Sequence, residues 1–189
     1  MKRIIYILAF VCMAIGAHAQ HFTLWYGTNY GAGTDKPNTL TGNYWRFANF
    51  GLDYTSRLKD AFDWTAGLGY NTKGGDSWAS YLQLEGNVGY NVVNRESLKL
   101  AFLTGPFVSL KVKDNFDNYV CPGNADINKG YYAKMVFGWQ FGVGLSYRFM
   151  SLKLGYERPI TSIFNEKYMD YMDYKYTPYE LFVRLGVRF

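Results

Sequence analysis

The residues of this chain that could do chemistry are charged rather than nucleophilic. Five acids, Asp53, Asp63, Glu85, Glu157 and Glu180, and six bases, Lys99, Lys111, Arg148, Lys153, Arg184 and Arg188, fall at the polar positions of alternating segments. Acids and bases in near-equal number on one face suit mutual pairing, not passage of one sign of ion. Glu85 and Arg184 sit near the middles of their segments, with Gln140 at a similar depth. Charges held in a narrow space must be paired, because removing one partner leaves a costly orphan. The predicted lumen network is Asp63, Glu85, Lys99, Lys153, Glu157, Glu180 and Arg184. Its first reading is a structural plug and its second a gated, ion-conducting lumen.

Acid–base or nucleophilic catalysis asks for more than this set offers. The chain has two histidines, His18 and His21. His18 lies in the N-terminal leader described below, and His21 stands at the start of the first strand. A carboxylate-only site would need one pair to stand out, and none does. No catalytic residue, no cofactor and no metal ligand is assigned. Of the two cysteines, Cys12 lies in the leader, so Cys121 alone can form neither an intrachain disulfide nor a cysteine metal cluster. The formal charge is +5 and falls by two with Lys2 and Arg3. That is too small and too dispersed for nucleic-acid binding.

The leader has three parts. Lys2 and Arg3 are basic, Ile4 to Ala17 is an uncharged, mostly apolar run, and Ala17-His18-Ala19 puts small residues before Gln20. This is the layout of a signal peptide at residues 1–19, with one domain at 20–189. The apolar run is 14 residues long, short of the ~20 that span a bilayer as a helix.

The elements that must position the charges are strands. At 189 residues the chain is one domain in size. It is 20% aromatic with 20 glycines and 5 prolines, a composition that favours tightly packed β structure. Eight runs alternate with a period of two. The cleanest sets Phe62, Trp64, Ala66, Leu68 and Tyr70 against Asp63, Thr65, Gly67, Gly69 and Asn71. Connectors near 56–60, 91–96 and 148–151 are short. Those near 31–43, 113–130 and 158–178 are long, with 72–77 intermediate. Regular alternation of short and long connectors gives antiparallel neighbours and two unlike ends, the anatomy of an up-and-down barrel.

Two features say which face is inside. Gly27, Gly51, Gly67, Gly69, Gly89, Gly105, Gly138, Gly142, Gly144, Gly155 and Gly186 share the polar face, and only Gly86 falls on the apolar one. Glycine within a strand marks crowding, and an eight-stranded lumen is crowded where open water is not. Aromatics also gather at the strand ends on the apolar face. Tyr54, Tyr90, Tyr147 and Phe189 mark one level, and Tyr30, Tyr70 and Trp78 the other. Two aromatic bands around an aliphatic belt fit the two interfaces of a bilayer. The fold class is therefore all-β, an eight-stranded antiparallel transmembrane β-barrel.

With its leader, eight amphipathic strands, long connectors at one end and terminal Phe189, the chain resembles the small outer-membrane β-barrel families. Examples are the OmpA transmembrane domain, OmpX and the PorT-like barrels. The resemblance covers residues 22–189. It implies the outer membrane of a Gram-negative-type envelope, both termini in the periplasm, outer-membrane lipid as surroundings, and Phe189 as the signal read by the barrel-insertion machinery. The implied role is structural or surface-binding, through long extracellular loops and an extracellular or envelope protein partner that the sequence does not name. The near-repeat 168–176 offers Tyr168, Tyr171, Tyr174 and Tyr176 as surface contacts, since Tyr is enriched at interfaces. An outer-membrane barrel enzyme and a soluble lipocalin-like lipid carrier are the alternatives.

Overall fold

The structure, a computed structural model, describes residues 21–32, 44–74, 78–95, 97–114, 132–163 and 179–189. Eight strands follow in chain order: β1 His21–Ala32, β2 Tyr44–Lys59, β3 Phe62–Lys73, β4 Ala79–Asn94, β5 Leu98–Asp114, β6 Met135–Tyr147, β7 Met150–Pro159 and β8 Tyr179–Arg188. Each pairs antiparallel with the next, and β8 pairs with β1 to close the barrel. Closure leaves no unpaired edge, a requirement for any sheet in hydrocarbon.

The two ends differ as the connector lengths predict. At one end β2–β3 and β6–β7 join through tight turns in which Asp60 and Arg148 take positive φ values of 42° and 52°. The chain's strand termini His21 and Arg188 lie at this same short-turn end. The strand ends that 33–43, 115–134, 160–178 and the shorter 74–78 connect lie at the opposite end.

Alternation sorts the side chains between inside and outside. Along β4, Gln83, Glu85 and Asn87 are buried, while Leu82, Leu84 and Val88 are exposed. The same holds around the barrel: Leu24 is 57% exposed and Leu185 60%, against 1% for Gln83 and 0% for Glu157. A soluble carrier would place these faces the other way, so the lipocalin-like alternative is overturned. Outward aromatics touch in two bands. Phe22, Tyr54 and Trp64 form a chain of ring contacts at the short-turn end, with centroids 5.2 and 5.4 Å apart, continued by Phe62 and Tyr90 at 5.3 Å. Tyr30, Trp45 and Phe47 do so at the other end, at 5.0 and 6.1 Å, as do Tyr156 and Tyr179 at 5.9 Å. Leu, Val and Ala dominate the belt between the bands.

The one-sided glycines have a steric cause. A Cβ at Gly69 would lie 2.8 Å from the Trp25 ring, and side chains at Gly138 and Gly155 would collide with the rings of Phe107 and Phe182. Three inward aromatics thus lie over backbone on other strands. At Gly86, on the outer face, an added Cβ would meet nothing within 4 Å.

Three details differ from the sequence reading. Strand β3 runs on to Lys73, so Thr72 and Lys73 belong to the sheet rather than to a connector at 72–77. A β-bulge against Gly27 and Asn29 inserts one extra residue into β2 between Arg46 and Asn49, so Phe47 and Ala48 both face outward. Arg148, expected inward, is exposed: its left-handed turn carries it past the end of β6, where its guanidinium lies 5.4 Å from the Tyr147 ring.

Candidate functional site in the barrel lumen

The inward residues of all eight strands converge on one chain of ionic and hydrogen-bonded contacts. Its centre is Arg184, in the middle of β8 and 1% exposed. Nη1 of Arg184 donates to both oxygens of Glu85 on β4, at 2.9 and 2.8 Å, and Nη2 donates to Glu157 on β7 at 2.8 Å. The guanidinium also lies against the rings of Trp25 and Phe182, 4.4 and 4.3 Å from their centroids. Such stacking suits a planar cation withdrawn from water.

From Arg184 the chain runs both ways along the lumen. Towards the long-connector end, Lys73 of β3 donates to Glu157 at 3.2 Å and to Glu180 at 2.6 Å. Tyr44 of β2 donates to Glu180, as does Asn29 of β1 at 3.4 Å. Gln83 donates to Glu157 and accepts from Ser109 of β5, both at 2.9 Å. Towards the short-turn end, Lys153 lies 2.7 Å from Glu85 and 3.7 Å from Asp53. Asp53 in turn accepts from the Trp25 indole at 2.9 Å. Gln140 of β6 donates to Glu85 at 3.1 Å.

The seven residues proposed for the network from sequence divide into two linked groups: Glu85, Arg184, Lys153, Glu157 and Glu180 are joined directly or through Lys73. Asp63 and Lys99 make a separate ion pair nearer the short-turn end. Lys111 is not in the lumen chain; it pairs with Asp114 at 2.6 Å. Sequence reasoning missed Lys73 and Tyr44. The signal for Lys73 was present, since Asn71 and Lys73 continue the polar alternation of β3.

The long-connector half of the lumen is solid. Lys73, Tyr81, Phe107, Tyr132, Ile163 and Phe182 are each at most 2% exposed, and five of these pack beside the ionic chain or in one apolar cluster. The short-turn half is hollow, with a cavity of about 90 Å³ and a mouth compartment of about 280 Å³. His21 lines both. Among the described residues no three His, Cys, Asp or Glu side chains are grouped to hold a metal ion. The residues Cys121, Tyr168, Tyr171, Tyr174 and Tyr176, like the leader 1–19, lie outside the described residues.

A closed eight-stranded barrel with a polar, filled lumen and an outward apolar belt between aromatic bands meets its family at this point. The family model for the outer membrane protein beta-barrel domain matches residues 13–165. The chain belongs to this family of outer-membrane β-barrels. The match ends before β8, and the pairing of β8 with β1 and β7 completes the barrel.

Solved structures share the fold at low identity. Neisserial surface protein A is 12% identical with a TM-score of 0.56, over 92% of this chain and 97% of its own. The N-terminal β-barrel domain of Pseudomonas aeruginosa OprF is 12% identical with a TM-score of 0.50, over 92% of this chain and 100% of its own. Ail of Yersinia pestis, solved in complex with the heparin analogue sucrose octasulfate, is 13% identical with a TM-score of 0.50, over 92% of this chain and 100% of its own. A comparison with curated proteins found no match. As an outer-membrane β-barrel, the protein resides in the outer membrane, surrounded by its lipid.

Proposed function

We propose that this barrel is a sealed, non-catalytic membrane protein that works through the connectors it holds outside the cell. The observation that carries the reading is the solid half of the lumen, where Lys73, Glu157, Glu180 and Arg184 fill the cross-section at 0–1% exposure. Eight strands leave room only for side chains, whereas aqueous channels need roughly 16–18. In barrels of this class the short turns face the periplasm and the long connectors the exterior. On that orientation 33–43, 115–134 and 160–178 form the outer surface, with Tyr168, Tyr171, Tyr174 and Tyr176 as contact residues for an extracellular or envelope protein. The signal peptide 1–19 directs export and is then removed, leaving 20–189, and Phe189 serves the insertion machinery. Phe189 sits where β8 meets β1, exchanging backbone hydrogen bonds with Phe22 at 2.9 and 3.0 Å.

His21, the one described histidine, lines the hollow half of the lumen and its mouth. The decisive experiment pairs planar-bilayer recording with capture of envelope and surface proteins by the intact barrel and by forms shortened in 113–130 and 158–178. No stable conductance, and capture that depends on those loops, are the expected results. Long-lived openings, or turnover in a titration against lipid and peptide substrates, would sink the reading.

A further inference from the structure

The hollow half of the lumen is a built cavity that the ionic chain does not use. Its deep compartment has Lys153, Arg184, Asp53 and Asp63 as part of its lining and Trp25 and Leu103 as apolar wall. Its mouth compartment carries Arg57, Arg95, Lys99 and Arg188 against the single acid Asp63. The cations divide sharply. Arg184 and Lys153 are held by Glu85, Glu157 and Asp53, and Lys99 is held by Asp63. Arg57, Arg95 and Arg188 have no acidic partner among the described residues. Of these three, Arg188 faces both compartments.

The wall is equally particular. The Trp25 indole is fixed by its bond to Asp53 and by the Arg184 guanidinium beside its face. Leu103 is an inward apolar side chain beside Gly89 and Gly144, left partly uncovered in the hollow half of the lumen. Apolar surface held against water costs free energy that an apolar occupant recovers. An unpaired arginine at the rim of such a wall is matched by a carboxylate, which can take two of its N–H groups at once. Neither feature alone selects a ligand, but together they select one that is acidic at one end and apolar at the other.

We propose that the short-turn half of the barrel binds a small organic carboxylate with a compact apolar body. The carboxylate sits on Arg188, with Arg57 and Arg95 drawing it to the mouth. The apolar body lies against Trp25 and Leu103. The ionic chain closes the far end, so the site has one entrance. That this entrance opens to the periplasm rests on the orientation proposed above; the binding itself does not.

The test uses the full barrel in nanodiscs, with benzoate as the probe. The readouts are the Trp25 indole N–H resonance, assigned with Trp25→Phe, and the methyl resonances of Leu103. Saturable shifts of both are expected, with affinity reduced at least tenfold in Arg188→Gln and less in Arg57→Gln. Benzyl alcohol, with the ring but no charge, and inorganic phosphate, with charge but no ring, should each bind at least tenfold more weakly. Absence of saturation at millimolar benzoate overturns the proposal. So does equal binding of either control, or unchanged affinity in both arginine variants. The entrance is checked separately by replacing Cys121 with Ser, introducing Arg95→Cys, and labelling intact cells with an impermeant maleimide. Labelling in intact cells would reverse the orientation and leave the benzoate result standing.

Discussion

Arg184 and Glu85 meet across the barrel, from strands β8 and β4, with Nη1 of the arginine 2.9 and 2.8 Å from the two carboxylate oxygens. Strands four apart in a ring of eight are opposite, so this contact spans the full lumen. Its partners are 1% and 3% exposed at the side chain. Losing one member of such a pair costs about 3–5 kcal/mol, while replacing both by apolar groups of similar volume costs far less. Arg184→Met should therefore destabilise the barrel by about that amount, and Arg184→Met with Glu85→Leu by clearly less than the sum of the single changes. Urea unfolding in detergent, arranged as a double-mutant cycle, measures the difference. Additive losses would mean that Glu157 and Lys153 hold the two charges independently.

Lys73 and Lys99 both form lumen ion pairs, but in different surroundings. Lys73 is fully buried between Glu157 and Glu180, whereas the Lys99 side chain is 16% exposed in the hollow half. Lys73→Met should cost about 3–5 kcal/mol by stranding two acids. Lys99→Met should cost about 1 kcal/mol or less, as partly solvated pairs do. Equal losses in the same unfolding assay would contradict the division of the lumen into a dry and a wet half.

Two glycines give a steric comparison. Gly69→Ala pushes a methyl group against Trp25, and overpacking of this kind costs about 1–3 kcal/mol. Trp25→Leu on the same background should recover part of the loss. Gly86→Ala enters open space on the outer face and should be neutral or slightly stabilising, by about 0.5 kcal/mol. The reverse ranking of thermal midpoints would put the glycine stripe on the wrong side of the wall.

Val183 precedes Arg184 in β8 and points the other way, 38% exposed against 1%. Val183→Lys should cost about 2–4 kcal/mol in a lipid bilayer, where a charge near the midplane is expensive. Refolding equilibria into vesicles report it. A negligible cost would show that this face meets water.

Much of this was readable along the chain because the period of two is a property of each strand by itself. Strand β3 needed no neighbour to reveal its faces, and Glu85 and Arg184 could be put at one depth by counting. What was lost depends on interruptions or on neighbours. The extra residue in β2 breaks the alternation at Phe47 and Ala48, hiding Tyr44 and its bond to Glu180. Lys73 precedes Gly74, whose φ of 103° makes the turn that a sequence reading placed two residues too early. Arg148 kept the period yet left the lumen, because a positive φ lies outside the strand rule. Phe107 and Phe182 point inward only because glycines on β6 and β7 make room, a fact of pairing between strands.

The inward charges also have a consequence for how the chain reaches its membrane. A protein bound for the outer membrane must first cross the inner one unfolded, and an unbroken apolar stretch would halt there as a helix. Placing Asp, Lys or Arg at the centre of a helical span costs roughly 2.5–3.5 kcal/mol per residue on the insertion scale. Glu157 and Lys153 in β7, Glu180 and Arg184 in β8, and Asp53 in β2 interrupt their apolar neighbours. Each segment is thereby too polar to be retained, though the finished wall is apolar outside. The residues that fill the lumen of the mature protein thus act earlier as a pass through the wrong bilayer.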